Sequence, residues 1–183
     1  MDNIVEIDSC RLCGGKITKT LDLGISPLAN RLLNANELDK PEITAPLILC
    51  ICENCKAIQL THTVDPALMF QHYLYSSSAT VALRGYFKQV AENIVKEYNL
   101  QPDDFVVEIG SNDGVMLKPL TDLGMYAMGV EPSKNLAARA NEQGLLTVCD
   151  FFSSATGQVL REITPAKLIY SANCFAHSPN LRD

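Results

Sequence analysis

The chain has no apolar run approaching the roughly 20 residues a bilayer-spanning helix needs, so it offers no candidate transmembrane segment. Its opening, MDNIVEIDSC, lacks the basic start and apolar core of a secretory signal. A cytoplasmic protein with no membrane partner is the expectation. Positive charge is also scarce: 15 Lys and Arg stand against 21 Asp and Glu, a formal net charge of −6. Neither the N-terminal nor the C-terminal part holds a compensating basic stretch. Nucleic-acid backbones are held by clustered Lys and Arg, so nucleic acid is excluded as the expected partner. Internal repeats and low-complexity segments are absent as well. What remains is a composition of 47% hydrophobic and 20% charged residues over 183 positions, enough for one ordinary domain or two small ones.

Seven cysteines in a chain without an export signal point to thiols and metal ligands rather than disulfides. Five of them fall in residues 1–65, a stretch with turn-rich segments (LDLGISPLANRLL, KPEITAP) and few sustained periodic runs. This reads as a loop-rich module with a core too small to be secure alone, where a metal is physically useful. Cys10-x2-Cys13 and Cys52-x2-Cys55 present four thiolates, and a Zn2+ ion closed by four sulfurs is structural, with no open position for catalysis. A redox Cys-x-x-Cys or unrelated buried thiols compete as readings, but two such pairs in a weakly cored segment favour zinc. Cys50 is a spare on the same strand face as Cys52. Cys149 and Cys174 read as small core residues.

Residues 66–102 read as a linking helical segment. Leu83, Phe87, Val90, Ile94 and Tyr98 recur at steps of three and four, and Phe87 and Tyr98 are expected in the core. From residue 103 to 183 short apolar runs (FVVEIG, MYAMGV, LLTV, KLIYSA) alternate with helical stretches. Strands that are nearly continuous apolar runs are buried on both faces, and intervening helices supply the crossovers of a parallel sheet. The fold class is α/β. Gly124 and Gly144 mark helix ends, and Ser133 and Ser153 mark helix starts.

The stretch VVEIGSNDG sits where the first strand of such a sheet turns into its first helix, the point where these folds bind ligands. Gly110 permits a sharp turn and Gly114 a close helix start. Glu131, after the second strand, is placed to accept hydrogen bonds from a ribose diol. A dinucleotide fingerprint needs glycines where Asn112 and Val115 stand, and a phosphate loop needs Gly-Lys-Ser/Thr. Both fail. S-adenosylmethionine survives, since it has ribose and adenine but no phosphate, and Glu108 suits its cationic end.

Read in order, CRLCGG, LDLGISPLAN, CENCKAIQL, VDPALMFQHYLYSSS, VVEIGSNDG, GVEPS, CDFF and NCFAHSPNL resemble the bacterial S-adenosylmethionine-dependent C-methyltransferases of nucleotide-linked 4-keto-deoxysugars that carry an N-terminal zinc-binding domain. The resemblance implies a zinc module followed by a Rossmann-type (class I) methyltransferase domain. It places Gly110, Asn112 and Gly114 at the methionine end of the cofactor, Glu131 and Pro132 at the ribose, and Asp150 and Phe151 at the adenine. It brings Tyr75 and Ser77 over the active site, and makes His177, with Asn173 before it, a catalytic candidate after the fourth strand. An imidazole in such a loop has a pKa suited to proton transfer.

The implied chemistry is removal of the proton next to the 4-keto group, stabilisation of the enolate and attack of that carbon on the sulfonium methyl. Zinc takes no part in it. The chain ends just after the fourth strand, whereas sheets of this kind have seven, so a fragment or truncated product is expected, with an open edge that favours self-association. Two other readings stand beside the enzyme: a non-catalytic, zinc-stabilised module that binds cofactor or a partner, and a zinc-ribbon interaction domain fused to a Rossmann-like half.

Overall fold

The computed structural model describes residues 3–178 and 180–183. Pro179, within the last of the motifs quoted above, lies outside the described residues. The chain divides into two compact units, one of Met1–Phe70 with His177–Asp183 and one of Gln71–Ala176.

The first unit contains β1 (Ile4–Glu6), β2 (Ile17–Pro27), β3 (Thr44–Cys52), β4 (Ile58–Leu60), β5 (His62–Val64) and a single helical turn, α1 (Pro66–Phe70). β2, β3 and β4 form an antiparallel sheet, and β1 pairs with β5. The long β2–β3 ribbon departs from the loop-rich expectation. Its first strand is almost wholly exposed, so it lacks the alternation that announces a half-buried strand. β2 also shifts register twice against β3, between Lys19 and Leu21 and between Asp22 and Ile25.

The second unit starts with an irregular, non-helical segment, residues 71–76, in place of the continuous helix that the sequence pattern predicts. A short 3-10 turn at Ser77–Ala79 follows, and then α2 (Val81–Glu97), whose N-cap Thr80 accepts the Leu83 amide. Phe87, Val90 and Ile94 of α2 pack on the core as their spacing predicts. Tyr98 does not: it is the C-cap of α2 and is 54% exposed.

Then come β6 (Phe105–Ile109), α3 (Leu117–Asp122), β7 (Tyr126–Val130), α4 (Lys134–Glu142), β8 (Thr147–Val148), α5 (Ser154–Ile163) and β9 (Leu168–Ser171). The four strands are parallel, in the order β8-β7-β6-β9. Chain order thus runs outward from β6 to β8 and then returns to the other side of β6, the reversal that defines a doubly wound sheet. Val106 and Ala127 face one core with Met116, Leu117 and Leu120, while Phe105, Val107, Met128 and Val130 face a second with Leu160. Burial on both faces is why β6 and β7 read as nearly unbroken apolar runs.

Gly124 and Gly144 end α3 and α4 as expected. Each has a positive φ, and the residue after it returns its amide to the helix, Met125 to Leu120 and Leu145 to Ala140, both at 3.0 Å. Ser153 caps α5 through Thr156. Ser133 precedes α4 but makes no cap bond, because its hydroxyl is engaged elsewhere.

Candidate functional site

Two centres emerge, one in each unit. In the first, Cys10, Cys13, Cys52 and Cys55 bring their sulfurs within 4.8 Å of one another. The Cys10–Cys55 and Cys13–Cys52 separations are 3.6 and 3.5 Å. Zn–S bonds of about 2.3 Å in a tetrahedron put sulfurs about 3.8 Å apart, so the four thiols fit one zinc ion.

The fit comes from two matching turns. Cys10 takes the amide of Gly14 and gives its own to Gly15, at 2.8 Å each; Cys52 takes the amide of Lys56 at 3.1 Å and gives its own to Ala57 at 2.9 Å. Gly14 and Lys56 hold the same left-handed place, with φ of 73° and 64°. Within each turn the second cysteine's backbone N–H supports the first cysteine's sulfur, pulling the Cys10 thiol down to about 6 and lowering that of Cys52. The Gln59 amide also donates to Cys10 Sγ at 3.2 Å. Cys50 is buried beside this cluster but outside it: its thiol donates to the Gln59 carbonyl, and burial raises its pKa.

The second centre lies at the carboxyl end of β6. Gly110, Asn112 and Gly114 all have positive φ, so the chain makes a tight left-handed excursion between β6 and α3. Across it stands Glu131, whose Oε2 accepts the Asn112 amide and whose Oε1 accepts the Ser133 amide, both at 2.8 Å. Each oxygen keeps a lone pair for a further donor. Burial raises the Glu131 pKa, opposed by the Ser133 and Asn112 amides.

The glycines answer to the protein's own packing. A Cβ on Gly110 would overlap the Cys174 side chain, and one on Gly114 would overlap Leu145. Glu108 is buried, and its Oε2, like the buried Ser111 Oγ, has no hydrogen-bond partner among the described residues. Burial first, then the Glu131 and Asp113 carboxylates, pushes the Glu108 pKa well up. Proton binding at Glu108 is thus favoured relative to a solvent-exposed carboxyl, and a nearby cation would oppose that shift. Glu131, with spare acceptor capacity beside the left-handed turn, fits a ligand that donates hydrogen bonds there.

Pro132, Asp150, Phe151 and Asn173 follow the carboxyl ends of the parallel strands β7, β8 and β9, on the side of this turn. Pro132 is half-buried after β7. Asp150 is exposed after β8 and accepts the Phe151 amide at 2.7 Å, and Phe151 is half-buried. Asn173, at φ 53°, is exposed after β9. Asn112 spends its side chain on the 71–78 segment, accepting the Ser77 amide at 2.9 Å and donating to the Tyr75 carbonyl at 3.0 Å. The Tyr75 side chain is 51% exposed, with its ring 6.5 Å from that of Tyr73. His177 belongs to the first unit, its ring 5.7 Å from Phe70.

Sequence reasoning passed over Asp113, Ser76, Ser78 and Asn135. Asp113 has a fully buried side chain that accepts from Ser76 Oγ, from Ser78 Oγ at 2.6 Å and from the Ser78 amide at 3.2 Å. An acid beside Gly114 looks ligand-facing in sequence, and only the returning segment shows otherwise.

An open parallel sheet with this order, a left-handed turn at its reversal point and an acid across the turn define the first part of a Rossmann-type α/β domain, here accompanied by a four-cysteine centre of zinc-binding geometry. The family model described as "Putative zinc binding domain" matches residues 10–70. The whole chain aligns with the C-methyltransferase NovU of Streptomyces niveus at 32% identity over 186 residues, covering 44% of that protein. The chain thus spans less than half the length of the curated relative it matches. These matches support the zinc-binding and C-methyltransferase parts of the resemblance carried by the motifs: residues 10–70 match a zinc-binding domain, and the chain is similar to a C-methyltransferase.

Among solved structures, the magnesium protoporphyrin IX methyltransferase of Synechocystis aligns at 17% identity, TM-score 0.44, over 54% of this chain and 48% of that one. The plantazolicin methyltransferase BpumL aligns at 19%, TM-score 0.43, over 54% and 39%. At such scores they add nothing to the fold assignment, which rests on strand order. Among the described residues no helix is long and apolar enough to cross a membrane.

Proposed function

We propose that this chain is the zinc-bearing and cofactor-binding part of an S-adenosylmethionine-dependent C-methyltransferase whose substrate is a nucleotide-linked 4-keto-deoxysugar. The observation that carries the reading is Glu131 held across the Asn112 turn with spare acceptor capacity on both oxygens, at the reversal point of the sheet. Glu131 and Pro132 take the ribose, Asp150 and Phe151 the adenine, and the turn from Glu108 to Gly114 the methionine end, with Ser77 and Asn173 at its margins. The cofactor supplies an electrophilic methyl on a sulfonium.

The chain's own groups handle the proton. The motif resemblance makes His177 the candidate base for that proton and Tyr75 the candidate donor to the oxygen that becomes an enolate. Cys10, Cys13, Cys52 and Cys55 hold zinc for folding alone. The relation to a C-methyltransferase supports methyl transfer to carbon, and the substrate class follows from the motif resemblance.

The test is to incubate the zinc-loaded chain with a nucleotide-linked 4-keto-deoxysugar in D2O, with and without S-adenosylmethionine. Deuterium entering beside the ketone, lost in His177→Ala, supports the proton step, and methylated product supports the whole reading. Cofactor binding without either outcome favours the non-catalytic binding module instead.

A further inference from the structure

The second unit carries a feature that the cofactor turn does not itself require. Residues 73–78 run as an arm across the carboxyl ends of β6 and β7, stitched down at two places. At β7, the Tyr73 amide donates to Ser133 Oγ at 3.0 Å and to Asn135 Oδ1 at 3.2 Å, while Asn135 Nδ2 returns a bond to the Tyr73 carbonyl at 2.8 Å. This is where the Ser133 hydroxyl goes instead of capping α4.

At β6, Asn112 holds Tyr75 and Ser77 through their backbones, and Asp113 holds Ser76 and Ser78. Arg139 donates to Ser76 Oγ at 3.0 Å and stands 3.8 Å from Asp113. Asp113 is the hub. A carboxylate with no exposed side-chain surface is costly unless its oxygens are filled, and here the arm's hydroxyls and amide fill them. The bonds to the Asp113 carboxylate come from Ser76 and Ser78, with Arg139 3.8 Å away, so Asp113 is held for the arm.

We propose that Asp113 is a positioning residue for the cofactor site: by clasping Ser76 and Ser78 it locks the 73–78 arm over the Asn112–Glu131 turn, so that arm order and cofactor affinity are coupled. The inference rests on the cofactor reading given above. Asn112, beside Asp113, thereby has two duties. Asn112 gives its backbone N–H to Glu131 and its side chain to the arm, so releasing the arm frees the turn that Glu131 anchors.

The test uses the zinc-loaded full chain and two variants that remove the clasp from opposite sides, Asp113→Asn and Ser76→Ala/Ser78→Ala. The readouts are amide hydrogen exchange across residues 71–80, thermal unfolding, and calorimetric titration with S-adenosylmethionine. Expected are at least tenfold faster exchange in the arm, with β6 and β7 amides unchanged, and roughly tenfold weaker cofactor binding, since bonds to a charged acceptor are the stronger kind.

If Asp113→Asn fails to fold, the serine variant, which leaves the carboxylate in place, gives the same measurement. Arm protection equal to wild type overturns the clasp. A loosened arm with unchanged affinity overturns the positioning role and leaves a structural one. Failure of the wild-type chain to bind S-adenosylmethionine overturns the cofactor reading itself, a result separate from equal binding by wild type and variants.

Discussion

The backbone N–H of Asn112 donates to Glu131 Oε2 at 2.8 Å, joining the turn after β6 to the end of β7 across nineteen residues of sequence. This one bond fixes the shape of the candidate cofactor site. It holds Asn112 at a φ of 53°, a conformation Asn tolerates better than most residues, and it brings an acid to the reversal point of the sheet.

The overlap that a Cβ on Gly110 would make with Cys174 sets up a double-mutant cycle. Gly110→Ala should cost about 2–4 kcal/mol, from overpacking and from a side chain forced to positive φ. Cys174→Gly in the same chain should recover the overpacking part and leave the backbone part. Denaturant unfolding of the four proteins checks this, and strict additivity would contradict the packing assigned to Cys174.

The zinc centre makes a sharper distinction among the cysteines. The purified chain should hold one zinc per molecule, lost in Cys13→Ser and Cys55→Ser and retained in Cys50→Ser, whose thiol serves the Gln59 carbonyl. Zinc held by four cysteine sulfurs contributes on the order of 10 kcal/mol to folding, so chelation should unfold the β2–β3 ribbon. Metal analysis with circular dichroism tests both, and loss of zinc in Cys50→Ser would contradict the ligand set.

Glu108 makes stability depend on pH in a definite direction. Its pKa is raised in the folded state, so the folded protein keeps a proton that the unfolded chain releases. The stability this provides is complete below the unfolded carboxyl pKa and declines as pH rises toward the raised value. Glu108→Gln should therefore flatten the fall in melting temperature above pH 5, gaining most relative to wild type at neutral pH. Parallel melting curves between pH 5 and 8 would contradict a raised pKa at Glu108.

What the sequence disclosed follows from how each part is stabilised. β6 and β7 are legible because burial on both faces demands continuous apolar runs, and the Cys10, Cys13, Cys52 and Cys55 set is legible because metal ligation demands its spacing. The β2–β3 ribbon carries no such mark: its outward side chains obey no alternation, and Leu21, Leu23 and Ile25 are all exposed. The helix expected from residue 66 breaks because Asn112, Asp113, Ser133 and Asn135 capture residues 73–78, a competition from distant side chains that no local pattern reveals. For the same reason Asp113 was invisible as the holder of the arm.

The most direct test of the account is calorimetric titration of the zinc-loaded chain with S-adenosylmethionine beside Glu131→Ala. Removing this carboxylate leaves the Asn112 and Ser133 amides without their acceptor, which costs about 1–3 kcal/mol per orphaned group. Saturable binding at one site per chain, weakened at least tenfold in Glu131→Ala while the variant remains folded, is the expected result. Equal binding by the two proteins would move the cofactor away from the Asn112–Glu131 turn, and no binding by folded wild-type chain would contradict the central claim.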